Sequence, residues 1–426
     1  MTTARKDSTG KMLLLGIQHV FAMFGSTVLV PALTGLSPSV ALLCAGIGTL
    51  LFHLVTKGKV PTFLGSSFAF IAAINLVGGL YADGAAFGTP EYYQNALPYA
   101  TGAILIAGAV YLLFSLLVYF IGTERFLKLF PPVITGPMII IIGLMLAPTA
   151  ISSITAPIGD TSVLVNWAVA ALTILIIIGV TLFAHGFFKL VPILIGIIGG
   201  YLIAWAFGIV DFTAVNEASW ISLPKMFLPK FSGTAILAIA PIALVTFVEH
   251  IGDITASSAV TGQNFMKDPG LHRTLLGDGL ATMFAGLVGG PANTTYSENT
   301  GVLAATKNYN PRTLEIAAVF AVCLSFLGKL GALLQTLPGP VMGGVSVVLF
   351  GMIAAVGLRT LVENQVDFKR SRNLLIVAVM LVLGLGGVTI TFSPTVSLSG
   401  TALAALLGIL LNVVLPDPID RETTEK

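Results

Sequence analysis

Charge is what this 426-residue chain has least of. Asp, Glu, Lys and Arg together make up 9% of it, against roughly 25% in an ordinary soluble domain. That excludes a water-soluble globular protein and, with 56% hydrophobic residues, leaves a polytopic membrane protein. Cysteine is almost absent. Cys44 and Cys323 both fall in apolar runs, so they supply neither a disulfide framework nor a thiolate cluster and read as free thiols in the core. A net charge of +2 gives no reason to expect nucleic acid as a partner. There is no His-Glu-x-x-His, no paired intramembrane Asp motif and no Ser–His pair at credible depth, which argues against an intramembrane enzyme. No catalytic residue, metal or cofactor is expected. No repeated ring of pore residues speaks for a channel.

What is present is a series of apolar runs. Spanning a bilayer takes about 20 apolar residues in a helix. Runs occur near 12–30, 38–56, 62–78, 99–121, 133–150, 165–184, 190–208, 233–252, 273–289, 295–306, 314–336, 339–357, 373–391 and 399–415. The expected fold is therefore all-α with 14 transmembrane segments. The first eleven residues are polar and basic and lead directly into a full-length span, so no cleavable leader is expected. Placing both termini on one side leaves only Lys225, Lys230 and Lys329 of the 21 Lys and Arg on the other side or in the membrane. By the positive-inside rule that side is the cytoplasm. Lys329 is expected to snorkel to the outer interface. The expected location is the cell inner (plasma) membrane, multi-pass, with cytoplasmic tails at 1–11 and 416–426.

The two halves resemble each other. Pro132-Val133-Ile134-Thr135-Gly136, followed by Gly143, matches Pro340-Val341-Met342-Gly343-Gly344, followed by Gly351, 208 residues on. Gly65-Ser66-Ser67-Phe68 matches Thr295-Tyr296-Ser297-Glu298 at 230. The difference is close to the length of the polar loop 79–98. Seven spans per half is an odd number, so the repeats must be inverted. The third and tenth runs are short and start poorly as helices: Pro61 and Pro291 lack an amide donor, and Thr, Tyr and Phe favour extended backbone. Each reads as a short extended stretch feeding a half-helix at mid-membrane. The two stretches, related by inversion, could pair with each other. Such backbone is tolerated there only when it is buried in protein or lines a cavity.

Glu249 and Glu298 stand in or beside these spans, where a carboxylate costs about 2.5–3.5 kcal/mol or more unless a partner, cavity or ion receives it. At 230, His19 falls opposite Glu249 and Phe68 opposite Glu298, so His19, Ser67 and Phe68 form the first-half counterpart of the two acids. Each residue has a plainer reading beside the functional one. Glu298 caps the half-helix after it or belongs to a site. His19 is an interhelical hydrogen-bonder or a ligand contact. Asp253, one turn after Glu249, tunes that acid or sits in cytoplasmic water near the helix end. Asp278 hydrogen-bonds a broken-helix backbone or supports the site, and Phe68 packs the core or faces a ligand.

Asn293-Thr294-Thr295-Tyr296-Ser297-Glu298-Asn299-Thr300-Gly301-Val302 resembles the nucleobase–cation symporter-2 family, also called nucleobase–ascorbate transporters. So do Gln18-His19-Val20-Phe21-Ala22-Met23-Phe24-Gly25, Gly65-Ser66-Ser67-Phe68-Ala69-Phe70, Glu249-His250-Ile251-Gly252, Asp268-Pro269-Gly270-Leu271-His272-Arg273 and Pro340-Val341-Met342-Gly343-Gly344. These motifs run in family order from residue 17 to about 351, and the nearest branch is the bacterial uracil permeases. The resemblance implies a core domain of 12–121 and 233–336 (spans 1–4 and 8–11) and a gate domain of 133–208 and 339–415 (spans 5–7 and 12–14). It also implies alternating access of core against gate, and a homodimer. It implies that Glu249 binds the base, that Phe68, Tyr296, Ser297 and Glu298 line the same pocket, and that His19 supports the network, with Asn299 next to Glu298 in the motif. Two positions depart from uracil permeases: Asp253 stands where they tend to carry His, and Ser297 where they often carry Gly. Asp253 and Asp278 are more usual in the purine branch, which prefers Gln-Asn where this chain has Glu298-Asn299.

The expected cargo is uracil, with xanthine or another purine as the alternative and an anion carrier of the same fold further off. Uracil is neutral and planar, with alternating carbonyls and ring N–H groups. A carboxylate accepts from a ring N–H, and a protonated carboxyl can also donate to a carbonyl. An aromatic ring at Phe68 or Tyr296 could cover the face. The same acids suit proton symport: Glu249 and Glu298 would load a proton with the base, with His19 and Asp253 in the coupling network. Sodium stays open.

Overall fold

The computed structural model describes residues 9–159, 161–393 and 396–416. The expected tails fall largely outside these residues. The first half runs through α1 (Thr9–Thr34), α2 (Pro38–Val55), strand β1 (Leu64–Ser66), a 3-10 turn (Phe68–Phe70) leading into α3 (Ile71–Leu80), α4 (Pro90–Asn95), α5 (Leu97–Ile121), α6 (Thr123–Leu127), α7 (Pro132–Met145), α8 (Ala147–Thr155), α9 (Val163–Phe183) and α10 (Pro192–Ala206). After α11 (Thr213–Glu217) the second half has α12 (Gly233–Ile239), α13 (Ile242–Thr261), α14 (Leu271–Val288), strand β2 (Asn293–Thr295), α15 (Ser297–Thr306), α16 (Pro311–Ser325), α17 (Gly328–Gln335), α18 (Gly339–Glu363), α19 (Ser371–Leu385), a strand pair β3 (Thr389–Ser393) and β4 (Val396–Ser399), and α20 (Gly400–Val414). Seven helical stretches are long and apolar enough to cross a membrane, and four shorter apolar helices accompany them among the described residues.

The repeat is visible in the element boundaries. Pro192–Ala206 and Gly400–Val414 lie 208 residues apart at both ends, and Val163 and Ser371 start their helices at the same spacing. Packing repeats too: α2 lies against α16 as α5 lies against α14, and α1 meets α10 as α13 meets α20. Small residues make these approaches possible, as expected where lipid supplies no hydrophobic drive between helices. A Cβ on Gly108 of α5 would stand 2.8 Å from Gly279 O of α14, and one on Gly357 of α18 would stand 2.6 Å from Gly136 O of α7.

β1 and β2 pair antiparallel and fully buried, with Leu64 opposite Thr295, Gly65 opposite Thr294 and Ser66 opposite Asn293. Two further bonds extend the ladder: Ser67 N donates to Ala292 O at 2.8 Å and Tyr296 N to Phe63 O at 2.9 Å. The extended stretches at the two breaks therefore satisfy each other's backbone, which hydrocarbon cannot do. Hydroxyls on the flanking helices take up what is left. Thr49 accepts from Leu64 N at 2.9 Å, and Thr282 donates to Asn293 O at 2.9 Å. Asn293 also donates to Cys44 O at 2.9 Å.

Several expectations change. The strands and the two half-helix starts superpose at 229, not 230: Leu64 maps to Asn293, Ser66 to Thr295, and Phe68 to Ser297. A two-fold axis normal to an antiparallel pair keeps each side chain on its own face, so it relates residues separated by an odd number along this ladder. The counterpart of Phe68 is thus Ser297, and that of Glu298 is Ala69. The run 314–336 is two helices, broken where Ser222 N donates to Phe326 O and Gly328 N to Trp220 O. The run 373–391 ends as a helix at Leu385, because Gly386 and Gly387 (φ +65°) release the chain into β-branched residues. α13 continues to Thr261, so Asp253 lies mid-helix and not near its end. Cys44 is buried as expected, but Cys323 is exposed on α16. Lys329 does more than snorkel: its ammonium donates to Val215 O at 2.5 Å and Asn216 O at 3.1 Å.

Candidate functional site

The β1–β2 ladder fixes where the two half-helices begin. One starts at Phe68 and the other at Ser297; the residues just before them, Ser67 and Tyr296, are separated along the strands by roughly 13 Å, the four residue steps between Ser67 and Phe63, whose carbonyl accepts from Tyr296 N. Their first-turn N–H groups and positive dipole ends flank the crossing. α13 packs against the Phe68 turn, against β2 and against α15, and α1 packs against β1 and α15. Glu249 on α13, His19 on α1 and the residues at the two breaks are thereby brought together.

The polar groups divide into committed and uncommitted ones. Ser26 of α1 donates to Glu298 Oε1 at 2.6 Å. Thr295 donates to Asp253 Oδ2 at 2.8 Å, which places Asp253 against the ladder. Tyr296 donates to Ser66 O at 2.9 Å, and its ring covers Gly65, where a Cβ would lie 2.4 Å from it. Tyr296 thus has a structural duty in the ladder. Asn299 bridges to α1, with Nδ2 3.1 Å from His19 Nδ1 and donating to His19 O at 3.1 Å. Against these, Glu249 Oε2, Ser67 Oγ and His19 Nε2 are buried with no hydrogen-bond partner. Buried polar groups in folded proteins are nearly always paired, so an orphan needs an explanation. Ser67 lies at the first break, His19 lies beside Asn299 of the second half-helix, and Glu249 lies on α13, which packs against both breaks.

Phe68 is 6% exposed and packs edge-on against Phe350 of α18, ring centroids 6.1 Å apart. Ser297 is exposed at the start of α15. A Cβ on Gly252 or Gly301, one on each acid-bearing helix, would meet nothing within 4 Å, so open space adjoins the turns that carry the acids. Three surface clefts, of about 550, 330 and 1030 Å³, are lined by other residues. Donor and acceptor chemistry, not cleft volume, marks this site. Asp278 is elsewhere than expected: the broken backbone is held by Thr282 and Asn293, and Asp278 faces His250, Nδ1 to Oδ2 3.1 Å, with both side chains fully buried. Sequence reasoning also missed Ser26 and Thr295 as partners of the acids. Each is a hydroxyl in or beside an apolar segment, and that is the only signal that could have found them.

A polytopic helical bundle, crossed at its centre by two paired strands and two half-helices with acids beside them, defines an integral membrane protein of the transporter class. The sequence pattern of the permease family Xan_ur_permease matches residues 10–392, and the chain belongs to that family, the nucleobase–cation symporter-2 group. It is 47% identical over 411 residues to a uracil permease of Bacillus subtilis (strain 168), covering 94% of this chain and 91% of that one. It is 40% identical over 406 residues to the uracil permease of Escherichia coli (strain K12), covering 94% and 90%. A putative pyrimidine permease of the same organism is 42% identical over 411 residues, covering 94% and 88%. The fold is shared with the transmembrane domain of a cyanobacterial bicarbonate transporter, at a TM-score of 0.64 and 15% identity over 96% of this chain and 98% of that one. Murine Slc26a9, an anion transporter in the inward-facing state, gives a TM-score of 0.70 at 13% identity over 97% and 69%.

Proposed function

We propose that this protein is a secondary active transporter that imports a nucleobase, uracil first, by proton symport. The carrying observation is the unpartnered, buried Glu249 carboxylate oxygen beside the β1–β2 crossing, in a chain whose relatives are named uracil permeases. Glu249 accepts from a ring N–H of the base. Ser67 Oγ and the first amides of the half-helices serve its carbonyls, and Phe68 covers its face. Ser297, at the opening of α15, and Tyr296, behind the ladder, complete the pocket wall. Glu249 and Glu298, the latter held by Ser26, load a proton with the base and release it as the base leaves; His19 and Asp253, the latter held by Thr295, belong to the coupling network, and Asn299 ties α15 to α1 through His19.

Spans 1–4 and 8–11 act as the core that carries the site, and spans 5–7 and 12–14 as the gate. The contact between Phe68 and Phe350 lies at their boundary and must re-form as the core moves. The protein works as a homodimer in the cell inner membrane with both termini cytoplasmic. A purine such as xanthine is the second reading, favoured by Asp253: a carboxylate one turn after Glu249 offers a further acceptor for the additional ring N–H of a purine.

Uptake of labelled uracil into proteoliposomes, with pH and sodium gradients imposed separately and unlabelled xanthine as competitor, tests the proposal. Uptake driven by an inward proton gradient and resistant to xanthine is expected. Uptake indifferent to both gradients would remove the symport claim, and strong competition by xanthine would move the cargo to the purine branch.

A further inference from the structure

Glu249 and His250 are neighbours on α13, so their side chains point about 100° apart around the helix axis. Glu249 serves the site. His250 points instead into the contact between α13 and α14, where it meets Thr274 and Asp278, one turn apart on the facing helix. His250 Nε2 lies 3.0 Å from Thr274 Oγ1 and Nδ1 lies 3.1 Å from Asp278 Oδ2. The second contact is within ion-pair distance but off hydrogen-bond angles, and Asp278 Oδ1 has no partner. Neither His250 nor Asp278 is exposed at all.

The proton positions follow from the partners. The single hydroxyl proton of Thr274 is committed to Leu271 O at 3.0 Å, so toward His250 the threonine offers only a lone pair. With the hydroxyl so directed, Nε2 carries hydrogen. Nδ1 then faces a carboxylate oxygen. Two bare lone pairs at this distance, one on an ionised carboxylate without solvent, make an unpaired buried charge. One proton resolves it, on Nδ1 as an imidazolium–carboxylate pair or on Oδ2 as a neutral acid against a neutral ring. A second proton would leave an unbalanced imidazolium in the same dry place. The remaining titratable groups near the pair are Glu249 and Asp253 on α13 itself and Tyr111 on α5, whose buried hydroxyl has no partner.

We infer that His250 and Asp278 hold one proton between them throughout the transport cycle and form a neutral strut that positions α13, and Glu249 on it, without loading or releasing the transported proton. The inference rests on the reading of the chain as a proton-coupled nucleobase importer. It makes His250 and Asp278 positioning residues.

Purified wild-type protein, Asp278→Asn, His250→Gln and Thr274→Val are compared by calorimetry in two buffers of different ionisation enthalpy, which reads protons taken up per uracil bound. They are also compared by uptake into proteoliposomes. Loosening the strut lowers uptake by about tenfold in the Asn and Gln variants and less in the Val variant. Protons bound per uracil and the pH of half-maximal binding stay at wild-type values in all three. A variant that binds uracil with fewer protons, or with its half-point displaced by about one pH unit or more, overturns the inference. For a variant that binds no uracil, infrared pH titration of the ligand-free protein decides. The inference expects the titrating carboxyl bands of wild type to persist in Asp278→Asn, and loss of one of them refutes it. Wild-type protein that binds uracil without proton uptake would instead sink the symport reading, and the infrared titration still judges the strut separately.

Discussion

Ser26 on α1 donates to Glu298 at 2.6 Å, joining two helices 272 residues apart in sequence. Glu298 is the acid in the first turn of α15, where the helix dipole already favours negative charge. The serine removes most of its freedom to turn elsewhere. Because a hydroxyl can donate to a carboxylate or accept from a carboxylic acid, the contact survives protonation of Glu298. An acid that must gain and lose a proton without moving is served by such a partner.

Replacing Ser26 by Ala takes away this contact and leaves Glu298 Oε1 without it. A hydrogen bond to a charged group contributes about 1.5–3 kcal/mol, so uracil affinity is expected to fall roughly tenfold or more. Ser26→Thr, which keeps the hydroxyl, should retain most of it. Equilibrium binding of labelled uracil separates the two; equal losses in both variants would point to packing and not to the hydroxyl.

Glu249→Gln keeps the shape of the side chain but replaces one acceptor oxygen with a donor. If the ring N–H of uracil is read by that carboxylate, binding should weaken by about 100-fold or more, in line with mismatched buried polar groups. The protein should remain folded, since no hydrogen bond of Glu249 Oε2 to the protein is lost. Normal pH-dependent uptake by this variant would falsify the assignment of Glu249.

At Gly65 a methyl group would lie 2.4 Å from the Tyr296 ring, in the middle of the buried ladder. Overpacking of this kind costs about 1–3 kcal/mol, and more where backbone must move. Gly65→Ala is therefore expected to lower the melting temperature of the detergent-solubilised protein by several degrees and to abolish uptake. Gly301→Ala, where a Cβ meets nothing within 4 Å, should leave the melting temperature unchanged.

The ion pair Lys59–Asp268 is short, with Nζ 2.6 and 2.8 Å from the two carboxylate oxygens, yet both side chains are well exposed. Exposed pairs contribute about 0–1 kcal/mol. Lys59→Ala should shift the melting temperature little, and a double-mutant cycle with Asp268→Ala should return a coupling energy in that range. A larger value would mean that the pair latches the loop after α2 to the loop before α14 more tightly than its exposure implies.

Much of this protein was legible before any coordinates. Apolar run length and the scarcity of charge identify the membrane class, because burying charge in hydrocarbon is so costly that composition alone carries the signal. The spacing of 208 between the Pro132 and Pro340 motifs reappears in the ends of α10 and α20, since a helix boundary marked by Pro or Gly is a local property. Pro61 and Pro291 announced the breaks for the same reason. The acids Glu249 and Glu298 stand out as charges in or beside spans, whereas Asp253 falls just past the apolar run 233–252 and only the continuation of α13 to Thr261 places it mid-helix.

Tertiary structure alone decided the rest. The register of β1 on β2 sets the repeat at 229, and no local preference distinguishes that from 230, because the decision belongs to a ladder formed between residues more than 200 positions apart. Which hydroxyl serves which acid, Ser26 for Glu298 and Thr295 for Asp253, depends on helix rotation and depth, which apolar periodicity cannot report when both faces of a helix are apolar. Asp278 shows the same limit: its sequence says that a charge is buried, and only the packing of α14 on α13 says that His250 is what it faces.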